Sequence, residues 1–440
     1  MIDTFGAAFG RLVKRKRAEK KLTQAQLAAA LYLNLDPEEA EKRKGDISKL
    51  ENGKVPNPTT QTIQKLANAL DISEDDLDAL QRRVQMSPSE KLDNVAVLDR
   101  DQLELLAGRF EIEKPHALSD PDLRDLLTKK AEEYRALKEE VDAIDDGLKR
   151  LSNLKTAAAD AIARIDLDEV EELLSRVQEV ELEEAAKTAE LRANNALLRG
   201  KVEQAYQLLS AAADSFAAVD PLEPARRRIL KYFVILINHG LRFGGLGLPR
   251  SRDLLAPVLT PELKQENGWL WAAAHDHLAI ALGEQGTRTD GEAGTTLLTE
   301  AVAAYREALT IRTRADHPVD WAKTQNNLAN ALENQGTRTG GEAGTTLLAE
   351  AVAANRAALT IRTREDHPVQ WAMTQNNLAL AEEAIADHDA TADPRGHLEA
   401  ALTHVEDALT VYDPEHMSYD HGTATDLRDR IKAKLATLKG

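Results

Sequence analysis

Cationic side chains are concentrated at the N-terminal end of this 440-residue chain. Residues 1–60 contain twelve Lys and Arg against eight Asp and Glu, a formal net charge of +4, whereas the whole chain carries −18. Because phosphate contacts need ammonium or guanidinium groups, a chain this acidic is not expected to coat a nucleic acid along its whole length. A basic end on an acidic body is the charge asymmetry expected of a DNA-binding region attached to a region that does not bind DNA.

The other residues that could do chemistry do not form a catalytic or metal-binding pattern. The chain has no cysteine, which excludes thiolate catalysis, disulfides and cysteine-ligated zinc. His275 and His277 are two positions apart, so they point to different sides of a helix, and no His-Glu-x-x-His motif is present. The glycine-rich stretch 286–296 lacks the lysine of a phosphate-binding loop. We therefore predict a protein that is not an enzyme and that uses no metal or cofactor.

The pattern of residues 1–85, the head of the chain, predicts five short helices. Aromatic residues make up only 4% of the chain and alanine and leucine are abundant, which favours helices over strands. Thr23, Thr59 and Ser73 are candidate N-caps, since each is a short polar residue that precedes an apolar run at helical spacing. The predicted core residues are Phe5, Phe9, Leu12, Val13, Leu27, Ala28, Ile47, Leu50, Ile63, Leu66, Leu70, Leu77 and Leu80.

Two segments of the head, Thr23–Ala28 (Thr-Gln-Ala-Gln-Leu-Ala) and Ile47–Lys54 (Ile-Ser-Lys-Leu-Glu-Asn-Gly-Lys), resemble the helix-turn-helix domain of Cro and phage repressors, the XRE family. The resemblance implies a recognition helix with its N-terminal half on base edges in the major groove, while the preceding helix crosses the phosphate backbone. An alternative is that the domain kept this fold for protein contacts. By position, the expected DNA-binding residues are Gln24 at a phosphate, Arg43, Lys44 and Lys49 at bases, Ser48 in the same register, and Asn52 and Lys54 at the backbone.

The sequence departs from the family pattern by an insertion of nine residues between Ala28 and Ile47. Asp36 before Pro37, with a glutamate at position 39, is a helix start signal. We therefore expect the insertion to lengthen the recognition helix or to add a separate turn, with Gly45 as a candidate break. The insertion lies where bases would be read.

Residues 86–118 are predicted to be a linker and residues 119–180 a long helical segment. From residue 120 onward two apolar rows repeat every seven residues, as in a coiled coil. The rows consist of Leu127, Tyr134, Val141 and Leu148, and of Leu123, Leu137, Ile144 and Leu151, with Lys130 as the single charged residue in the second row. They could form a homodimer seam or pack within their own chain, since Asp145-Asp146-Gly147 could also turn the chain into a hairpin. Domains of this type usually act in pairs on two half-sites, which favours the homodimer.

Residues 181–440, the body of the chain, contain a repeat of 50 residues. Residues that recur at this interval are Trp271, Trp321 and Trp371, Leu278, Leu328 and Leu378, and the alanine pairs Ala301 and Ala308, Ala351 and Ala358, and Ala401 and Ala408. A repeat of this length indicates stacked helical units. The body resembles tetratricopeptide repeats, which implies an α-solenoid, and the stretch 286–296 and its copy 336–346 are predicted to be connectors.

Two stretches of the body, 316–329 and 366–379, share Asp-His-Pro followed by Gln-Asn-Asn-Leu-Ala and resemble the repeats of kinesin light chains and related bacterial proteins. The resemblance implies that asparagines on the first helix of each repeat face a concave groove and hold a peptide backbone. A carboxamide both donates and accepts hydrogen bonds, so it can bind an extended backbone of any sequence. The expected groove residues are Lys323, Asn326, Asn327, Asn330, Asn376 and Asn377. Alternatively, these asparagines only cap helices and tie neighbouring repeats together.

These patterns predict an all-α protein with a five-helix helix-turn-helix domain (1–85), a linker (86–118), a long coiled-coil-like segment (119–180) and a tetratricopeptide-repeat solenoid (181–440). The layout resembles peptide-sensing bacterial regulators. We expect a cytoplasmic transcriptional regulator, with repression favoured over activation, that binds a double-stranded DNA operator, a peptide or protein ligand and a second copy of itself. No apolar run is long enough to span a membrane. The alternative function is a scaffold or adaptor of a defence or toxin-control system, whose head regulates only its own operon or binds no DNA.

Overall fold

The computed structural model describes residues 4–31, 37–142, 145–164, 167–388 and 391–438. Within these ranges the chain is helical and contains no β-strand, which confirms the all-α fold class. The chain divides into two compact units, Met1–Ala143 with Leu198–Gly200, and Ile144–Leu197 with Lys201–Gly440. None of the helices in the described ranges is both long and apolar enough to cross a membrane.

The first unit begins with five helices around a small apolar core. They are α1 (Phe5–Glu19), α2 (Gln24–Leu31), α3 (Pro37–Glu51), α4 (Thr60–Leu70) and α5 (Glu74–Gln85). The predicted N-caps are confirmed, because the hydroxyl oxygens of Thr23, Thr59 and Ser73 accept hydrogen bonds from backbone N–H groups three residues later at 3.1–3.2 Å. The predicted core residues are also confirmed, since all thirteen lie in or against this one cluster.

Two positions of α1 accept only glycine, because α1 lies against the backbone of α3 and of the segment that follows it. A Cβ atom on Gly10 would lie 1.9 Å from the backbone oxygen of Leu50, and one on Gly6 would lie 2.1 Å from that of Val55. These distances are far inside van der Waals contact. The first helix is therefore fixed against the C-terminal end of α3 by backbone proximity.

The insertion lengthens the recognition helix. Helix α3 contains 15 residues and runs without interruption from Pro37 to Glu51, a length of about 22 Å. Gly45, the candidate break, lies within the helix, and a Cβ atom built there would meet nothing within 4 Å. Asp36, the other residue of the predicted start signal, lies outside the described residues.

The region predicted to be a linker is folded. It contains α6 (Pro88–Asp93), α7 (Arg100–Arg109) and 3-10 turns at Val95–Val97 and Pro115–Ala117, and it is followed by α8 (Asp120–Asp142). Its apolar residues form a core with α8 that includes Leu92, Leu98, Leu103 and Leu106. The prolines and serines of this region lie at helix caps and turns. The apolar residues between them form helices that pack against α8.

The first part of the heptad pattern is buried within the same chain. Leu123 and Leu127, which start the two rows, are 0% exposed in the core formed with α6 and α7. Tyr134 and Leu137 pack at its edge. Ile144 lies outside the described residues, as do the side chains of Val141 and Leu148. The intrachain alternative therefore applies to the first two turns of α8.

The second unit begins with helices that continue the long helical segment. Residues 119–180 are divided among α8, α9 (Asp145–Arg164) and the first half of α10 (Leu167–Leu198). Ala158 and Ala161 of α9 pack against Leu173 of α10. The chain continues through α11 (Val202–Asp214), α12 (Glu223–Arg226), a π-helical turn (Arg227–Tyr232), α13 (Phe233–Phe243), α14 (Gly247–Leu255), a 3-10 turn (Ala256–Val258) and α15 (Pro261–Glu266).

The 50-residue repeats form consecutive helix pairs. The helices are α16 (Gly268–Thr287), α17 (Gly291–Leu309), α18 (Pro318–Gly336), α19 (Gly341–Leu359), α20 (Pro368–Asp387), α21 (Pro394–Leu409) and α22 (Ser418–Thr437). The six alanines of the predicted pairs are all 0% exposed in the cores between these helices. Such pairs are consistent with a repeat solenoid.

The predicted connector 286–296 is mostly helical. Only Arg288–Asp290 lie between α16 and α17, so the extra length of the repeat extends both helices. One repeat later, Arg338 donates hydrogen bonds of 2.8 Å to the backbone oxygens of Gly286, Thr287 and Thr289. A guanidinium group at a helix C-terminus satisfies free carbonyls and opposes the helix dipole. The short connector is thus held by the next repeat.

Candidate functional site

One buried carboxylate joins the first three helices of the head. Glu51 is 4% exposed and accepts hydrogen bonds from Arg17 Nε at 2.6 Å, Arg17 Nη2 at 3.0 Å and Gln24 Nε2 at 2.6 Å. The hydrogen bond with Glu51 raises the pKa of Arg17. These bonds fix α2 and α3 relative to α1. In the sequence Glu51 stands out only as part of the Ile47–Lys54 motif, and no local signal shows that its carboxylate is buried.

Gln24 is placed differently from the other predicted DNA-binding residues. It was expected at a phosphate, and its side-chain amide donates to Glu51 inside the head. The side chain remains partly exposed. Its observed bond orients the recognition helix.

The outer face of α3 carries the predicted base-reading residues. Arg43, Lys44, Lys49 and Asn52 are exposed and Ser48 is partly exposed, while Ile47 and Leu50 are buried. The exposed Lys54 lies beyond the end of the helix. The side-chain amide of Asn52 donates to the backbone oxygen of Ser48 at 2.8 Å. The fold therefore places four of the seven predicted residues, Arg43, Lys44, Ser48 and Lys49, on the solvent-accessible surface of α3.

Arg43, Lys44 and Lys49 of α3 pair with carboxylates of the same helix. Asp46 lies 3.7 Å from both Arg43 and Lys49, and Glu41 pairs with Lys44. Exposed pairs of this kind contribute about 0–1 kcal/mol each. Phosphate or base oxygens can therefore replace them at little cost. A helix about 10–12 Å wide that presents such cations fits the DNA major groove.

Comparison with known families identifies this region. Residues 10–81 match the helix-turn-helix domain family. The N-terminal part of the chain is therefore a helix-turn-helix domain, and such a domain suggests DNA binding. The matched range contains α2, α3 and α4 and ends within α5. No curated protein matches the chain, and no solved structure does.

The repeats contain a cavity lined by three helices. It has a volume of 260 Å³ and is lined from α16 by Ile280, Gly283, Glu284 and Thr287, from α17 by Leu298 and Tyr305, and from α18 by Asn327, Asn330, Ala331 and Asn334. Asn327 and Asn330 were predicted for the groove. Asn334 was missed, although it lies four residues after Asn330 and so continues the same face of α18.

The four other predicted groove residues, Lys323, Asn326, Asn376 and Asn377, have different surroundings. Asn326 is 4% exposed, and its Oδ1 accepts hydrogen bonds from Thr374 Oγ1 at 2.9 Å and from Asn377 Nδ2 at 3.3 Å. These bonds tie α18 to α20. The Oδ1 of Asn376 is buried and has no partner among the described residues. The last predicted residue, Lys323, is exposed on α18.

The bond between Asn326 and Thr374 belongs to a polar set that recurs in the repeats. Arg362 Nη1 donates to Thr374 at 3.0 Å, and burial lowers the pKa of Arg362. Fifty residues earlier, Arg312 Nη1 donates to Thr324 at 2.9 Å, and Thr324 donates to Asp276 at 3.1 Å. Asp276 replaces Asn326 in this register. Each set joins neighbouring repeats through hydrogen bonds between buried polar groups. Loss of one partner leaves the other group buried and unsatisfied, which lowers the free energy of unfolding.

The two histidines of the His-Asp-His sequence pack against different aromatic rings. The centroid of His275 lies 4.0 Å from that of Trp271, and the ring of His277 stacks on Phe233 at 4.5 Å. Burial lowers the pKa of both histidines. The described residues contain no group of three or more side chains that could hold a metal ion.

Proposed function

We propose that the protein is a sequence-specific DNA-binding transcriptional regulator, with repression favoured, whose body consists of tetratricopeptide repeats that bind a peptide or protein. The observation that carries the proposal is the outer face of α3. It exposes Arg43, Lys44 and Lys49 on a helix-turn-helix domain, where each pairs weakly with a carboxylate of the same helix.

DNA recognition uses the cations of α3 at base edges. Lysine and arginine are suited to the O6 and N7 atoms of guanine, and Asn52 and Lys54 are close enough to the end of α3 to hold the backbone. A homodimer would place two such helices on two half-sites.

The repeats supply the sensing part of the function. Asn327, Asn330 and Asn334 offer both donors and acceptors to an extended backbone beside the cavity. A ligand changes DNA binding only if it binds one arrangement of the heads better than another, and an affinity ratio of ~100 supplies about 2.7 kcal/mol.

The direct test measures binding of the full-length protein to the duplex upstream of its own gene and to a scrambled duplex, by fluorescence anisotropy over a range of salt concentrations. We expect a preference for the natural duplex. The double variant Lys44→Gln and Lys49→Gln should lose this preference, at about 1–3 kcal/mol for each base contact.

A matched control removes two charges elsewhere in the first unit. Lys129 and Lys138 lie on α8, and Lys129 pairs with Asp125. The double variant Lys129→Gln and Lys138→Gln should keep the preference. Equal affinity of the wild-type protein for both duplexes at every salt concentration would contradict the regulator proposal.

The second candidate function is a scaffold or adaptor whose head binds protein. The carboxylates of Glu41 and Asp46 favour it, because they reduce the positive potential of the helix that would meet DNA. This candidate predicts that the wild-type protein binds DNA weakly and without sequence preference. Removal of Lys44 and Lys49 should then leave that behaviour unchanged.

A further inference from the structure

Glu333 and Glu383 occupy the same position in successive repeats, fifty residues apart on α18 and α20. Glu383 is 5% exposed and fully paired. Its carboxylate accepts hydrogen bonds from Arg430 at 2.8 Å and 2.5 Å and from Lys434 at 2.8 Å. Both cations lie on α22, one repeat later. This is the pairing that a buried carboxylate needs.

Glu333 lacks both of these cations. The residues of α20 that correspond to Arg430 and Lys434 are Leu380 and Ala384. The Glu333 carboxylate makes no hydrogen bond or ion pair within the ranges that the structure describes. Burial, together with the negative charge of Glu383, raises the pKa of Glu333. The side chain is partly exposed, so a ligand can reach it.

The position of Glu333 within the repeat is one that lines a cavity in the preceding repeat. One repeat earlier the equivalent residue is Gly283, which lines the 260 Å³ cavity together with Tyr305. The residue equivalent to Tyr305 is Asn355, which is 1% exposed, and its buried Oδ1 has no hydrogen-bond partner among the described residues. Two acceptors without donors thus occupy positions that line the cavity in the preceding repeat.

From these contacts we infer that the groove binds a cationic side chain of the partner, an arginine or lysine, and that Glu333 is its counter-ion. The inference rests on the proposed peptide binding by the repeats and specifies the chemistry of that peptide. A guanidinium group has five N–H donors and no acceptor, which matches two acceptors that lack donors. The net charge of −18 also favours a cationic partner.

The test uses full-length protein and four libraries of blocked, fluorescein-labelled octapeptides. Each library has Arg, Lys, Gln or Glu fixed at one central position and a mixture of uncharged residues elsewhere. We expect the wild type to bind the Arg and Lys libraries about tenfold more tightly than the Gln library, as for one charge-assisted hydrogen bond in a partly desolvated site. The Glu library should bind most weakly.

Two variants separate the charge of Glu333 from other changes in the groove. Glu333→Gln should bind the Arg, Lys and Gln libraries equally and should keep the affinity of the wild type for the Gln library. Ala384→Lys places an ammonium group where Lys434 stands relative to Glu383, so it should also lose the cation preference. Asn327→Ala combined with Asn330→Ala should weaken binding of all four libraries. Thermal unfolding checks that each variant is folded.

The outcomes distinguish this inference from the proposed function. If no library binds the wild type, the proposed peptide binding fails and this inference fails with it. If the libraries bind with equal affinity, or if the preference for Arg and Lys survives in Glu333→Gln, peptide binding stands and the role of Glu333 is overturned. Loss of the preference in both Glu333→Gln and Ala384→Lys supports it.

Discussion

Charged and polar side chains have opposite environments on α3 of the head and on the first helices of the repeats. On α3, Arg43, Lys44 and Lys49 are exposed and pair with carboxylates of the same helix. On α16 and α18, Asp276 and Asn326 are 0% and 4% exposed and are bonded across to the next repeat. Exposed and weakly paired groups can exchange their partners for a ligand, whereas buried and bonded groups hold the fold.

The contrast also applies within each region. In the head, Glu51 is buried and structural, whereas Asp46 five residues earlier is exposed. In the repeats, Asn326 ties two helices together and its neighbour Asn327 lines the cavity. The same type of residue can therefore have a binding role or a structural role, depending on whether its side chain is exposed or buried. The substitutions below test this distinction.

The largest effect is expected from Glu51→Ala in the head. Removal of the carboxylate leaves Arg17 without its partner in a mostly buried site, which costs about 4 kcal/mol. Hydrogen exchange of the amides of α1 to α5 in the full-length protein measures the loss. Glu41→Ala is the matched exposed control and should change this free energy by less than about 1 kcal/mol. Similar losses in the two variants would remove the distinction between buried and exposed carboxylates.

In the repeats, Asp276→Ala should lower the free energy of unfolding by about 3 kcal/mol, because Arg312 loses a buried counter-ion 3.3 Å away. Asp276→Asn should cost much less, since Asn326 occupies this register in the next repeat and bonds to the equivalent threonine. Denaturant unfolding followed by circular dichroism compares the two variants. Equal losses would show that charge, and not hydrogen bonding, stabilises this set.

A backbone substitution tests whether neighbouring repeats approach as closely as the structure indicates. A Cβ atom on Gly294 would lie 2.0 Å from the backbone oxygen of Thr289 and 2.5 Å from Nη1 of Arg338. Gly294→Ala should therefore destabilise the repeats by about 2 kcal/mol. Gly283→Ala is the control, because nothing lies within 4 Å of its Cβ position, and it should stabilise α16 by about 0.5–1 kcal/mol. Thermal unfolding of both variants measures these changes. An increase in stability for Gly294→Ala would contradict the close approach of the atoms around Gly294.

The smallest expected effect is a pH dependence of opposite sign at Glu333 and Glu383. Burial and Glu383 raise the pKa of Glu333, so its neutral form is favoured and stability is lost as pH rises through that pKa. Glu333→Gln should therefore match the wild type below the unfolded-state pKa of about 4.3 and exceed it at neutral pH by about 1 kcal/mol or less.

Glu383→Gln provides the comparison. Burial opposes ionisation of Glu383, but the hydrogen bonds from Arg430 and Lys434 hold its pKa below the usual value. Its stabilising contribution is present at neutral pH and is lost as pH falls through that lowered pKa. Glu383→Gln should therefore be less stable than the wild type at neutral pH. Melting temperatures of both variants between pH 4 and pH 8 test the two signs, and shifts in the same direction would contradict the pairing described for Glu383.

Much of the local structure could be predicted from the sequence. The N-caps at Thr23, Thr59 and Ser73 and the core of the head depend on residues a few positions apart, and these are confirmed. The burial of Ile47 and Leu50 follows from the same periodicity. The helices within residues 86–118 could not be predicted, because their apolar residues form a core only together with α8.

The sequence by itself determined the helical periodicity, the helix-turn-helix motif and the 50-residue interval, because each is encoded by spacing along the chain. Only the tertiary structure decided which partner each face meets. Leu123 and Leu127 carry a heptad pattern that suits a second chain, yet they are buried against α6 and α7. Glu333 and Glu383 share a position in the repeat, yet one is paired and the other is not, because the residues one repeat later differ. A periodic pattern specifies a face, and packing specifies its neighbour.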